Sequence, residues 1–201
     1  MARVLSLTAL IGALLFSAGA RAADPPRPPS ASSEITAETA SRWAWLGADG
    51  GTYWYVPTAF LPAYQWNTDD PAEAASVSDQ TVWHIERFEN GYFFGPAVAQ
   101  LDGGSAMCQY MIGSITPAGR VYIAFNSQPA RGRPSITTGT GDMAGTPDGW
   151  AFVMQMATGS DSRQVAHWAY MTQCREGQAC WNTLPGTGTS VEAMLAQCDA
   201  D

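Results

Sequence analysis

Residues 150–170 read WAFVMQMATGSDSRQVAHWAY, and this stretch decides the fold. Trp150, Phe152, Met154 and Met156 alternate with Ala151, Val153, Gln155 and Ala157. A period of two marks a strand with one bulky face. Thr158, Gly159, Ser160 and Asp161 supply turn chemistry. Gln164 to Tyr170 runs back with Trp168 and Tyr170 two apart, completing a hairpin. One heavily aromatic face needs a partner surface, and the neighbouring segments are built to provide it.

Working outward, strand and turn alternate steadily. Thr81 to Phe88 and Tyr92 to Val98 flank Asn90-Gly91, a strong hairpin signal. Met107 to Ile115 and Arg120 to Phe125 are joined by Thr116-Pro117-Ala118-Gly119. A longer loop from Asn126 to Ser135 leads to Ile136 to Met143, and Thr146-Pro147-Asp148-Gly149 turns the chain into Trp150. With Thr52 to Val56, about eight strands are predicted. Short connections make sequential strands antiparallel neighbours. An even number lets the first and last strands pair, closing an up-and-down barrel without exposed edges. A two-sheet sandwich is the alternative. The outline resembles lipocalin-like and avidin-like barrels. The chain carries no motif of either, so the resemblance transfers no residues.

The faces predicted to point inward are Trp83 with Ile85; Tyr92, Phe94 and Val98; Val121, Ile123 and Phe125; Trp150 to Met156 at every second position; and Trp168 with Tyr170. The opposite faces hold small residues: Gly95, Ala97, Ala124, Ala151, Ala157, Ala166 and Ala169. A small-residue outer face calls for a covering segment. A short helix over roughly Glu34 to Trp45 could supply it. So could a C-terminal helix with Val191, Met194, Leu195 and Cys198 on one stripe and a Thr189–Glu192 capping box. Between these parts, Pro57 to Ser78 is irregular, with Phe60, Tyr64 and Trp66 suggesting a packed flap.

Composition sets the class. The 201 residues are 46% hydrophobic and 14% charged, enough for one domain with a substantial core. A net charge of -8 argues against nucleic-acid binding and against anionic membranes. All ten basic residues are arginine, which removes lysine Schiff-base chemistry.

The start of the chain reads as an export signal: Arg3, an apolar run from Val4 to Phe16, and the small-residue site Ala20-Arg21-Ala22. The expected organisation is a signal peptide over 1–22, a proline-rich linker over 23–33 and one barrel domain over 34–201. The mature protein would be secreted or periplasmic, without membrane insertion. Four cysteines suit that oxidising compartment. They allow three connectivities; the short loop 175–179 favours Cys174 with Cys180, leaving Cys108 with Cys198. A zinc site is disfavoured, because no C-x-x-C is present and both histidines are distant in sequence from the cysteines.

Functional motifs are few. Gly139, Gly141 and Ala144 match a dinucleotide pattern, but turn residues and a strand follow where a helix is required. Residues 184–188 read LPGTG, similar to a surface-sorting signal without its apolar tail, and are taken as a turn. No nucleophile elbow, H-E-x-x-H or P-loop occurs. Each histidine adjoins a tryptophan assigned to the interior, so His84 and His167 are expected on the outer face. Their strands are both neighbours of the first strand and lie about 10 Å apart, too far to share a metal but able to bracket a ligand.

The expected function is binding of a small apolar or aromatic molecule inside the barrel, without cofactor or metal. Trp83, Tyr92, Phe94, Trp150, Trp168 and Tyr170 would be its walls. The alternatives are a small-molecule enzyme with His84 or His167 as general base, and a surface interaction protein without a cavity.

Overall fold

The computed structural model describes residues 33–67, 73–127, 136–159 and 163–198. The segments expected to be signal peptide and linker, Asp69-Asp70, most of the Asn126–Ser135 loop and part of the 158–161 turn lie outside them. The described chain is a closed eight-stranded antiparallel barrel with short helices. Closure excludes the sandwich. Ten strand segments build it: β1 (Thr52–Tyr55), β2 (Phe60–Asn67), β3 (Glu73–Ile85), β4 (Arg87–Glu89), β5 (Tyr92–Leu101), β6 (Met107–Ile115), β7 (Arg120–Ser127), β8 (Ile136–Thr146), β9 (Gly149–Gly159) and β10 (Arg163–Cys174). β1 and β2 share one position, each pairing with β3 on one side and β10 on the other. β4 continues β3 along β5, and β3–β5 pairing carries the wall onward.

Two irregularities shape the wall. Tyr55 pairs with Val82 and Phe60 with Ser78, five residues against four. On the other side Tyr55 pairs with Thr172 and Ala63 with His167, eight residues against five. The chain therefore bows away from β10 around Pro57, which has no N–H to give a ladder. The second irregularity is at Glu86. Trp83 pairs with Ala97 but Arg87 with Phe94, so one residue bulges, and the Glu86 amide donates to the Phe94 carbonyl at 2.9 Å. Gly95 lies opposite this bulge, where a Cβ would collide with the His84 carbonyl.

One end of the barrel is plugged. Helix α1 (Ser33–Trp43) and a 3-10 turn (Ala44–Gly47) bring Trp43, Trp45 and Leu46 across it. Trp43 meets Trp150 edge-on at 5.2 Å and donates from Nε1 to the Thr116 carbonyl. Thr52 donates to the Leu46 carbonyl and accepts from Trp54 Nε1, which fixes the plug to β1. Trp54, Trp83, Phe93 and Phe152 then fill the adjoining interior with centroids 4.6–5.8 Å apart. Gly113 admits the Phe93 ring and Gly139 admits Met156; a Cβ at either would overlap those side chains. The dinucleotide-like glycines therefore serve strand packing.

The outer face carries a second cluster. Helices α2 (Ala179–Asn182) and α3 (Val191–Leu195) lay Leu184, Val191 and Met194 over Val82 and Val98. The Cys108–Cys198 and Cys174–Cys180 disulfides bind this segment to β6 and β10. Ser190, not Thr189, caps α3, accepting from the Ala193 amide at 3.0 Å.

Four sequence expectations need correction. In β10 the inward residues are Val165, His167, Ala169 and Met171, while Trp168 and Tyr170 are 46% and 45% exposed. Gly159 pairs with Gln164, so even-numbered residues of β9 stand opposite odd-numbered residues of β10. The two bulky even faces cannot both point inward in that register. In β5 the inward residue is Phe93, and Tyr92 is half exposed; Val98 is buried, but outside, beneath the C-terminal segment. Ala97 and Ala169, expected outside, are interior. The supposed flap is β2 and the start of β3, with Phe60 and Tyr64 exposed on the surface.

Candidate functional site

Away from the plug, the interior is not filled. A cavity of about 240 Å³ lies between β3, β5, β6, β7, β8, β9, β10 and the β1–β2 strand. Its apolar walls include Trp83, Phe125, Met107, Met156 and Met171. Ala63, Ala99 and Ala169 leave the space, because short side chains sit at inward positions opposite large ones. Six polar residues also line it: Asp79, Thr81, Gln109, Thr137, Thr158 and His167.

Each polar group sits where strand alternation would put an apolar one. Asp79 and Thr81 continue the inward phase of Val77 and Trp83 on β3. Gln109 lies between inward Met107 and Met111 on β6. Thr137 pairs with Thr158 across β8 and β9, their hydroxyls 2.9 Å apart. His167 faces Met156 on one neighbouring strand and Ala63 on the other.

Asp79 is 5% exposed, and its Oδ1 accepts from the Thr81 hydroxyl at 2.7 Å. Burial pushes its carboxyl up to about 6; the Thr81 bond opposes this and the Asp102 carboxylate adds to it. Burial pulls the His167 imidazole below its ordinary value, favouring the neutral ring. Among the described residues no hydrogen-bond partner holds that ring, which lines the cavity. No described grouping of three His, Cys, Asp or Glu side chains could hold a metal ion.

Of the expected wall residues, Trp83 lines the cavity. Trp150 packs into the plug against Trp43 and Trp45. Tyr92, Phe94, Trp168 and Tyr170 point away from the interior. His84 is on the outer face as expected: it stacks on Tyr53 with centroids 4.1 Å apart, and Nε2 lies 2.9 Å from the Gly50 carbonyl. Nδ1 lies 3.6 Å from Glu86. That is a structurally occupied histidine. His167 is its opposite, and the two sit on opposite sides of the wall.

Asp79, Thr81, Gln109, Thr137 and Thr158 were not singled out from sequence. The available signal was phase: Gln109 shares its face with Met107, Met111 and Ile115, where a polar residue is anomalous. No protein-family model, curated protein or solved structure matches this chain, so the site is read from its own residues.

Proposed function

We propose that the protein is an exported barrel that binds one small, mainly apolar or aromatic molecule in the cavity half of its interior. The observation that carries this reading is the contrast between the two halves. The plugged half is packed with Trp54, Phe93 and Phe152, each fully buried. The other half keeps about 240 Å³ lined by apolar walls and converging polar groups. An apolar cavity of about 150 Å³ takes up benzene, so this one suits a single ring with a short polar arm. The two disulfides support an oxidising destination, in line with the N-terminal signal pattern.

Filling the cavity tests the reading. A nitroaromatic alcohol such as 4-nitrobenzyl alcohol should quench tryptophan fluorescence saturably through Trp83. Ala99→Leu and Ala63→Leu should each weaken that binding at least tenfold while the protein stays folded. Unchanged saturable binding in both folded variants would refute the placement.

The enzyme alternative is favoured by one observation: His167 and Asp79 line the same cavity. A neutral imidazole there can accept a proton from a bound molecule. Loss of turnover in His167→Gln, with ligand binding retained, would distinguish catalysis from binding.

A further inference from the structure

We propose that the ligand carries a cationic nitrogen, such as an ammonium or amidinium on a small aromatic body, and that Asp79 is its counter-ion. This rests on the cavity being the ligand site.

Among the described residues one interior carboxylate is uncompensated. Asp79 is 5% exposed, lines a mainly apolar chamber, and has one described hydrogen-bond partner, the Thr81 hydroxyl. An ionised carboxylate removed from water is strongly disfavoured unless it is paired. The described arginine side chains are engaged outside the barrel. Arg42 lies over Trp43, Arg87 over Phe94, Arg120 against Asp142, and Arg175 against Gln173.

The groups facing Asp79 from the packed elements do not compensate it either. Val56, just after β1, and Leu61 of β2 line the same cavity, and β5 contributes Ala99 and Leu101. β6 offers the neutral Gln109, and β10 the imidazole that burial keeps neutral. Asp102, just beyond β5, adds negative charge. An ion-paired carboxylate moves below its ordinary value; this one moves up, to about 6. At neutral pH it is nevertheless mostly ionised.

Among the described residues the cavity is therefore electrostatically incomplete, and a ligand cation would complete it. The Trp83 and Phe125 rings, 5.3 Å apart, offer aromatic faces that favour a cation or an aromatic body beside it. The Thr137 and Thr158 hydroxyls and the His167 ring supply neutral acceptors for the remaining N–H groups. The net charge of -8 draws cations toward the protein.

A matched series separates charge from shape: 2-phenylethylamine, 2-phenylethanol and 3-phenylpropanoate, titrated calorimetrically into the full chain at pH 7.5. The amine should bind at least tenfold tighter than the alcohol, and the carboxylate weakest. Asp79→Asn should abolish the amine's advantage while leaving alcohol binding within about threefold. In the unsubstituted protein, amine affinity should fall about tenfold from pH 7.5 to 5 as Asp79 protonates; this measurement needs no variant. If the alcohol or the carboxylate binds as tightly as the amine, the cationic assignment is overturned while the cavity reading stands. The same holds if the amine's advantage survives in a folded Asp79→Asn protein. Absence of saturable binding by all three overturns both.

Discussion

Replacing Asp79 by asparagine should change how stability depends on pH, and the size of the effect follows from burial. The ordinary aspartate value is 3.8, and in the fold Asp79 is pushed up to about 6. Between those values the unfolded chain has released the proton and the folded protein still holds it, so stability falls as pH rises. The contribution is fully present below 3.8, declines through the window, and is gone above about 6. At 1.36 kcal/mol per pH unit the loss amounts to about 3 kcal/mol. The amide in the Asp79→Asn variant has no such titration. Urea unfolding followed by tryptophan fluorescence at pH 3.5, 5 and 7.5 gives the stability of both proteins. The difference between them isolates Asp79, because all other groups titrate in both. The native protein should lose about 3 kcal/mol relative to the variant across that range. Parallel pH profiles would refute the buried, unpaired carboxyl, and with it the electrostatic reading of the cavity.

Five further outcomes are expected. His167 has the opposite sign: burial lowers its pKa, so native stability should fall relative to His167→Gln as pH drops below 6.5, seen in the same unfolding series. Trp168→Ala should cost under about 1 kcal/mol, because the side chain is 46% exposed. Phe152→Ala, in the fully buried aromatic cluster, should cost about 3–5 kcal/mol in equilibrium unfolding. Removing Cys108–Cys198, which spans 90 residues, should destabilise by about 4–5 kcal/mol. Removing Cys174–Cys180, which spans 6, should cost about 2–3 kcal/mol, and denaturation of paired serine variants checks the order.

The barrel was legible where one face is apolar and the other is not. β7 shows Val121, Ile123 and Phe125 inward between exposed Arg120, Tyr122 and Asn126, and its alternation admits one reading. β9 is similar. β5 is not, because Tyr92, Phe93 and Phe94 are consecutive aromatics and the outer face is itself partly covered by the C-terminal segment. Period alone cannot choose a side there. β10 misled for a different reason. Its alternation is clear, but which face points inward depends on the length of the β9–β10 connection, and composition does not set that length.

The site was hidden by the property that makes it a site. Along β3 the inward residues run Ala75, Val77, Asp79, Thr81 and Trp83. Polar groups interrupt the apolar phase there, so half of the strand read as loop. A cavity lining with polar residues on the core phase weakens the pattern by which strands are recognised. The cysteine pairing was accessible because loop length and the amphipathic stripe of the last helix both bear on it.

Binding and counter-ion pairing both require that ligand enters the cavity half and not the plug or the outer surface. Methionine methyl resonances report on this directly. Met107, Met156 and Met171 line the cavity, Met143 lies in the core near the plug, and Met194 sits beneath the C-terminal segment outside. With methyl-labelled protein, saturating 2-phenylethylamine or 2-phenylethanol should shift Met107, Met156 and Met171 together along one binding isotherm, with Met143 and Met194 unmoved. Shifts confined to Met143 or Met194, or no saturable shift at the three cavity methyls with either compound, would contradict it.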